Sequence, residues 1–117
     1  IRAVKSPYNV NSVSQAIGEV LFSHPDYIDK CIETVVNSRK ELYSQILEIK
    51  NDKIEKVFET HTNFVFMKVK NAKEIFLKMK ENSIIIRNMG DYLRITAGTE
   101  YENAKMLETF KKVLEEV

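Results

Sequence analysis

The stretch that decides the fold is "SIIIRNMGDYLRITA", residues 83–97, in which two apolar segments flank a short polar one. β-Branched and aromatic residues dominate "SIIIR" (83–87) and "DYLRITA" (91–97), and such residues favour β-strands. The four residues "NMGD" (88–91) have the composition of a turn. The sequence therefore predicts an antiparallel hairpin with a four-residue loop at 88–91.

This hairpin determines the side of the sheet on which each side chain lies. A four-residue loop pairs Arg87 with Tyr92, Ile86 with Leu93 and Ile85 with Arg94, and directly paired residues share a face. Because side chains alternate along a strand, one face is expected to hold four polar or aromatic residues: Arg87, Tyr92, Arg94 and Thr96. The opposite face is expected to be apolar and to join the core, with Ile84, Ile86, Leu93 and Ile95.

Two arginines on one face of a sheet suggest an anion-binding site. The planar guanidinium group offers a fork of N–H donors that can bind a carboxylate or a phosphate in two places. A second interpretation is that Arg87 and Arg94 are surface side chains that cover apolar neighbours or pair with acids such as Glu59 or Asp91. The spacing alone does not decide between these two interpretations.

The segments on either side of the hairpin predict a further strand and two helices. "NFVFMKV" (63–69) alternates apolar residues on both faces, which predicts a central strand covered on both sides. "AKEIFLKMKEN" (72–82) predicts a short helix with three inward residues, Ile75, Phe76 and Met79. "TEYE" (99–102) has capping-box spacing and predicts the start of a helix that buries Leu107, Phe110, Leu114 and Val117.

The N-terminal part of the chain predicts two more helices. Asn11 is placed to cap a helix over 12–22 whose apolar residues share one face. Ser23 and Asp26 have capping-box spacing before a long helix, in which Arg39 interrupts a stripe formed by Ile28, Ile32, Val35, Leu42, Ile46 and Ile49. Arg39 is expected to reach water or a carboxylate. Together the elements predict an α+β two-layer domain, a small antiparallel-rich sheet with helices packed against it.

The composition is that of an ordinary soluble globular protein. Of the 117 residues, 44% are hydrophobic and 30% charged, and the formal net charge is +1. A polyanion-binding protein is usually more basic, so nucleic acid is not an expected partner. No apolar run has the ~18 residues that indicate a membrane span. Cys31 is the single cysteine, so no intramolecular disulfide is possible, and a cytoplasmic location is expected.

The residues alone predict no catalytic group, bound cofactor or metal. His24 and His61 lack partners at ligand spacing, so helix-start and turn roles are expected instead of metal binding. No glycine-rich phosphate loop, nucleophile elbow or metal motif occurs in the sequence. Tyr8, Asn9 and Gln15 form a polar cluster with the capping residue Asn11 at a helix start, and no role is assigned to them.

Four segments resemble one enzyme family. They are "SPYNVNSVSQ" (6–15), "TNFVFMKV" (62–69), "IIIR" (84–87) and "LRITAGTEYEN" (93–103). In this order and at these separations they resemble the C-terminal part of histidinol-phosphate aminotransferases, and the resemblance covers essentially the whole chain. It implies that residues 1–117 form a single domain, the C-terminal small domain of a fold-type I enzyme. Because the chain begins without a methionine, we expect a fragment of a longer protein.

The resemblance also implies an activity and three binding residues. The family uses pyridoxal phosphate and transfers an amino group between glutamate and imidazole-acetol phosphate in histidine biosynthesis, and the full-length enzyme is expected to be a homodimer. Arg94 is implied to bind the substrate carboxylate, and Arg87 to hold the anionic end of the substrate, the phosphate. Asn63 matches an Asn-Phe pair of the family's small domain, which implies a supporting role near the substrate.

The resemblance further implies that the cofactor chemistry lies in the large domain. Transamination needs a lysine that forms a Schiff base with pyridoxal phosphate. In the family this lysine occurs in a Ser-Lys-x-x-x-x-x-Gly-x-Arg setting, and no such string is present here. The chain alone is therefore expected to be inactive and free of cofactor. Two alternatives remain open: a related enzyme such as threonine-phosphate decarboxylase, and a stand-alone module in which Arg87 and Arg94 hold a small anion.

Overall fold

The computed structural model describes residues 10–117, which form helices and strands in the order α1 (Ser12–Phe22), α2 (Pro25–Leu47), β1 (Ile54–Phe58), β2 (Phe64–Val69), α3 (Ala72–Glu81), β3 (Arg87–Met89), β4 (Tyr92–Thr96) and α4 (Glu100–Glu116). The predicted α+β class, with helices and an antiparallel sheet, is confirmed. The chain divides into two compact units, Ile1–Glu33 and Thr34–Val117. None of the helices in residues 10–117 is both long and apolar enough to cross a membrane.

In the first unit, α1 begins where the sequence predicts. The Asn11 side chain accepts a hydrogen bond from the Ser14 backbone N–H at 2.8 Å, which satisfies an N–H at the start of the helix. Gln15 donates from its side-chain amide to the Val10 carbonyl at 3.0 Å, which explains one member of the polar cluster. Tyr8 and Asn9 lie outside the described residues. No residue of α1 is buried, so its predicted apolar face is exposed.

The start of α2 differs from the prediction. Pro25 occupies the first helical position, where its fixed φ and missing N–H are tolerated. The His24 carbonyl accepts hydrogen bonds from the backbone N–H groups of Tyr27 and Ile28, so His24 has the helix-start role expected for it. The predicted capping box at Ser23 is wrong, because the Ser23 hydroxyl donates to the Val20 carbonyl at 2.6 Å and so helps to end α1.

Four strands form one antiparallel sheet in the order β1-β2-β4-β3. The predicted central strand is confirmed as β2, which pairs with β1 on one side and β4 on the other. The segment 84–86, predicted as strand, lies outside β3. Ile86 is nevertheless buried and Ile84 packs against the core, as the alternation of the sequence indicates.

The β3–β4 hairpin is tighter than predicted. Arg87 pairs with Arg94, Asn88 with Leu93 and Met89 with Tyr92, which leaves a two-residue turn. The four-residue loop is therefore wrong, because Gly90 adopts a φ of +68° that permits a two-residue turn. The pairing is shifted by two residues relative to the prediction. Since side chains alternate with a period of two, every predicted face is preserved.

Helices cover one face of the sheet in the second unit. The C-terminal half of α2, together with α3 and α4, encloses a core that includes Leu42, Ile46, Met79, Phe110 and Leu114. The helix prediction for α3 is confirmed, and so is the capping box of α4, where Thr99 and Glu102 bond reciprocally. The apolar stripe of α2 is buried only in part, since Val35 is 45% exposed.

The other face of the sheet is open to solvent in the second unit. We call it the open face and define it by the residues Lys56, Phe58, Phe64, Phe66, Lys68, Arg87, Met89, Tyr92, Arg94 and Thr96, whose positions share one side in the strand register. Phe64 and Phe66 are only half-buried. The prediction that β2 is covered on both sides is therefore wrong within residues 34–117.

Candidate functional site

Two arginines lie side by side on the open face. Arg87 of β3 pairs directly with Arg94 of β4, and directly paired residues of an antiparallel ladder point to the same side. Arg87 is exposed and Arg94 is half-buried. Neither guanidinium forms an ion pair with an acid in residues 10–117. The interpretation that these arginines pair with Glu59 or Asp91 is thus not supported, and both remain able to bind an external anion.

Arg94 is held against an aromatic ring. Its guanidinium carbon lies 4.9 Å from the centre of the Phe64 ring, a cation–π contact. Its Nε is buried and has no hydrogen-bond partner among the described residues. A buried donor without a partner costs free energy, more so when it belongs to a charged group. Because the buried Nε is out of reach, an anion in the groove would have to bind the rest of the guanidinium of Arg94, which is only half-buried as a residue.

A groove of about 400 Å³ leads to Arg94. Its walls are mostly apolar, from Phe58, Phe64, Phe66 and Met89, and the connector between β1 and β2 forms one side. Arg94 lines the groove, whereas Arg87 is not among the lining residues. Water is a weaker competitor for an ionic contact in an apolar setting than at a flat polar surface. The groove therefore favours binding of the anionic end of a small molecule at Arg94.

Aromatic rings and further cations surround the groove. Phe66 stacks on Tyr92 with ring centres 5.1 Å apart and an interplanar angle of 5°, and Phe58 lies 5.6 Å from Phe66. The Lys56 ammonium lies 4.8 Å from the centre of the Phe58 ring. Four cationic side chains thus belong to the open face, and the only ion pair among them joins Lys68 to Glu55 within the described residues. Among the charged residues around Arg94, Lys56 and Arg87 have no acidic partner in residues 10–117, and Glu59 is the acid that lines the groove.

The Lys68–Glu55 ion pair changes the pKa of both partners. The two charged groups are 2.9 Å apart. A hydrogen bond and the charge of Lys68 lower the pKa of Glu55, and the same contacts raise the pKa of Lys68. Lys68 therefore stays protonated and Glu55 stays ionised, so the pair as a whole is neutral.

The connector between β1 and β2 is fixed by side-chain hydrogen bonds. Thr60 is only 6% exposed, and its hydroxyl donates to the Phe64 carbonyl at 2.5 Å. Arg39 on α2 donates from Nη1 to the Thr60 carbonyl at 2.8 Å. The expectation that Arg39 reaches water or a carboxylate is therefore wrong, because it binds a backbone carbonyl. Sequence reasoning did not identify Thr60, since a threonine in a polar connector gives no signal of burial.

A second network fixes the segment that follows β4. Asn103 is buried, accepts a hydrogen bond from the Gly98 N–H at 2.9 Å and donates to the Ser38 hydroxyl at 2.9 Å. Ser38 in turn donates to the Gly98 carbonyl at 2.6 Å. Glu102 accepts hydrogen bonds from the backbone and side chain of Thr99, which lower the pKa of its carboxyl group. These bonds connect α2 and α4 to the end of the strand that carries Arg94.

The remaining sequence candidates differ in their relation to the groove. Asn63 is exposed and is not among the groove residues, and its carbonyl accepts a hydrogen bond from the Ala97 N–H at 2.9 Å. His61 lines the groove, and its Nε2 lies 3.7 Å from a Glu59 oxygen, with both side chains exposed. No group of three His, Cys, Asp or Glu residues suited to a metal ion occurs within residues 10–117.

Comparison with known proteins shows that the chain is similar to the C-terminal part of aminotransferases. No protein-family model matches the chain. A curated relative, the histidinol-phosphate aminotransferase of Clostridium kluyveri, is 35% identical over 97% of this chain. The chain spans 33% of the length of that relative.

Solved structures give the same fold. The histidinol-phosphate aminotransferase from Clostridium acetobutylicum matches with a TM-score of 0.79 and 22% identity, over 99% of this chain and 37% of that one. A decarboxylase from Sulfurospirillum multivorans matches with a TM-score of 0.73 and 20% identity, over 92% of this chain and 33% of that one. At these identities the structural likeness establishes the fold, and the relation to histidinol-phosphate aminotransferases rests on the sequence.

Proposed function

We propose, from the premise that the chain is homologous to the C-terminal part of histidinol-phosphate aminotransferases, that it is the substrate-binding domain of such an enzyme. The full-length protein would use pyridoxal phosphate to transfer an amino group between glutamate and imidazole-acetol phosphate, the reaction that interconverts the latter with histidinol phosphate. The observation that best supports this proposal is the direct pairing of Arg87 and Arg94 on one sheet face, without an acidic partner in residues 10–117.

The two arginines have different roles in this proposal. Arg94 binds the carboxylate of glutamate, because it lines the groove and has no acidic partner in residues 10–117. Arg87 is exposed beside it and binds the phosphate of histidinol phosphate, a substrate that has no carboxylate. Both contacts are charge-assisted and can be bidentate, which fixes orientation as well as adding affinity. Asn63 supports the site through its backbone bond to Ala97, which extends the pairing beside Phe64.

The described residues do not fit pyridoxal phosphate on their own. A Schiff-base lysine needs a lowered pKa, which burial usually provides. No lysine in residues 10–117 is buried, and the pKa of Lys68 is raised by Glu55. In this proposal the remainder of the enzyme holds the cofactor, and the full-length protein acts as a cytoplasmic homodimer. Titration of this chain with pyridoxal phosphate should show no single saturable site, and one tight site would contradict the assignment.

The half-reactions of the intact enzyme test the two arginine roles. Arg94→Ala should slow the glutamate half-reaction at least as much as the histidinol-phosphate one, since glutamate carries the carboxylate assigned to Arg94 and histidinol phosphate has none. Arg87→Ala should slow the histidinol-phosphate half-reaction more, because glutamate has no phosphate. Single-turnover measurement of each half-reaction separates these effects. Near-normal glutamate kinetics in the Arg94→Ala enzyme would rule out the carboxylate assignment.

A second candidate function uses the same arginines. The fold likeness to a decarboxylase keeps open a related enzyme that acts on another phosphorylated amino compound, such as threonine-phosphate decarboxylase. Release of carbon dioxide from threonine phosphate, without transamination of histidinol phosphate, would favour this candidate. A stand-alone anion-binding module is the third possibility. It requires a gene that encodes this chain without a segment carrying the Schiff-base lysine.

A further inference from the structure

We propose that Arg39 is a positioning residue for Arg94 and acts through the β1–β2 connector and the Phe64 ring. Its effect on ligand binding rests on the proposed function, whereas its effect on the order of Arg94 does not. Three contacts connect the two arginines within the unit Thr34–Val117. They run from Arg39 to Thr60, from Thr60 to Phe64 and from Phe64 to Arg94.

The first contact fixes the connector to a helix. The Arg39 guanidinium donates to the Thr60 carbonyl at 2.8 Å, in a partly buried setting. Its Nε is buried and has no partner among the described residues. An arginine needed only at the surface would keep all its donors in water, because an unpartnered buried donor is costly. The geometry therefore indicates that the Thr60 carbonyl is the reason for the inward orientation of Arg39.

The second contact transfers this restraint to the start of β2. Thr60 is 6% exposed, so its position is defined by its neighbours. Its carbonyl accepts from Arg39, and its hydroxyl donates to the Phe64 carbonyl. The Thr62 hydroxyl lies 3.3 Å from the Thr60 hydroxyl and adds a further polar contact to this turn. The backbone of Phe64 is thereby bonded to a residue that α2 holds in place.

The third contact reaches the anion-binding group. The Phe64 ring lies 4.9 Å below the guanidinium carbon of Arg94, and both side chains line the groove. A cation over an aromatic face is attracted to a limited region above the ring. If the start of β2 shifts, the ring moves and Arg94 loses its defined position. Arg39 would then act on Arg94 through Phe64 without contacting the ligand.

A purely structural role for Arg39 makes a different prediction, and the chain offers a matched control. Lys53 donates from its ammonium to the Leu114 carbonyl at 2.7 Å, also in a partly buried setting of the same unit. Like the Arg39 bond, it joins a long cationic side chain to a backbone carbonyl far away in sequence. Lys53 is not among the groove residues. Arg39→Met and Lys53→Met therefore remove equivalent bonds, and only the first belongs to the path toward Arg94.

NMR of the ¹⁵N-labelled 117-residue chain tests the proposal through the Nε–H group of Arg94. In the wild type this group should have an order parameter near the rigid limit of about 0.85, and in Arg39→Met it should fall below about 0.6. Lys53→Met should leave it unchanged, and Arg39→Lys, which keeps one donor, should restore part of the order. Equal changes in both Met variants, or no change in Arg39→Met, would overturn the proposal.

A second variant and a binding measurement complete the test. If Arg39→Met does not fold, Thr60→Val tests the path at its second contact, because it removes the hydroxyl that donates to Phe64 and keeps the carbonyl that accepts from Arg39. Loss of Arg94 order in Thr60→Val supports the path, and wild-type order contradicts it. Glutarate serves as the carboxylate probe. If Arg94 keeps its binding position in only a third of the Arg39→Met molecules, the apparent Kd for glutarate rises about threefold relative to the wild type. Absence of glutarate binding to the wild type would count against the proposed function alone, since the order parameter still tests the path.

Discussion

Arg87 and Arg94 are directly opposite each other in the β3–β4 ladder, and neither pairs with an acid among residues 10–117. Like charges at opposed positions of an antiparallel pair repel and destabilise it. This arrangement is unfavourable in the ligand-free protein, and binding of an anion would relieve it. The repulsion is therefore a measurable property of the proposed site.

Replacing one of the two arginines should stabilise the isolated chain. Arg87→Thr removes a charge from the pair and introduces a residue with high strand propensity. The free energy of unfolding should rise by roughly 0.2–1 kcal/mol, the usual size of a cross-strand effect. Urea unfolding at low salt measures the free energy of unfolding, and Arg87→Lys is the control because it keeps the charge. A Thr variant less stable than the Lys variant would show that the repulsion is negligible.

In the proposed aminotransferase, replacing Arg94 should impair catalysis by a defined amount. Truncating one partner of a buried, hydrogen-bonded charge pair typically costs ~2–5 kcal/mol. At about 1.4 kcal/mol per factor of ten, Arg94→Ala should lower kcat/KM for glutamate by roughly thirtyfold to several-thousandfold. Arg94→Lys should recover only part of this loss, because an ammonium keeps the charge but not the bidentate fork. Full recovery by lysine would indicate a simple charge effect.

Adding a side chain at Gly98 should weaken the start of α4. A Cβ there would lie 2.7 Å from a Glu102 carboxylate oxygen and 3.1 Å from the Glu102 Cβ. That oxygen accepts from Thr99 in the capping box, so moving it away breaks the cap. Loss of a cap costs about 0.5–2 kcal/mol, and thermal unfolding of Gly98→Ala should show it. Gly18→Ala is the control, since a Cβ at that position would meet nothing within 4 Å and alanine favours a helix.

Stability should fall in acid partly because of Glu102. Hydrogen bonds from Thr99 hold the folded-state pKa of Glu102 below its ordinary value of 4.5. A carboxyl group with a depressed pKa contributes stability above its unfolded pKa, and this contribution is lost as the pH falls through the folded pKa. The stability of the wild type should therefore decrease below about pH 4.5.

The comparison with Glu102→Gln isolates that contribution. The amide cannot ionise, so between neutral pH and the acid range this variant should lose less stability than the wild type. Urea unfolding at both pH values measures the difference. The remaining acid sensitivity has other sources, because Lys68 lowers the pKa of Glu55 and Lys112 lowers that of Glu108. Parallel pH profiles of the two proteins would mean that Glu102 makes no contribution.

Patterns of local periodicity were reliable guides to this fold. Alternation in "LRIT" correctly separates Leu93 and Ile95 from Arg94, and capping chemistry correctly places Asn11 and Thr99. The loop length at 88–91 was not predictable from composition, because several residues in that segment suit a turn and only the positive φ of Gly90 selects the two-residue form. Ser23 was assigned wrongly for a similar reason, since a hydroxyl can serve either helix end.

Contacts between distant residues were beyond sequence reasoning. The bond from Arg39 to Thr60 joins positions 21 residues apart, and that from Asn103 to Ser38 spans 65. Neither pair has a periodic pattern that would bring its members together. The faces of the arginines follow from the period of a strand, but the groove, the ring beneath Arg94 and the fixed connector depend on tertiary packing.

The two-residue turn at Gly90 restricts how the length of this hairpin can change. If an insertion of one residue shifted the strand pairing by one position, one arginine would turn toward the helices, where a guanidinium would meet an apolar core. An insertion of two residues would leave both arginines on the open face and only lengthen the loop. In homologous hairpins, extra residues should therefore lie within the loop or shift the strand pairing in steps of two, so that both arginines stay on the open face.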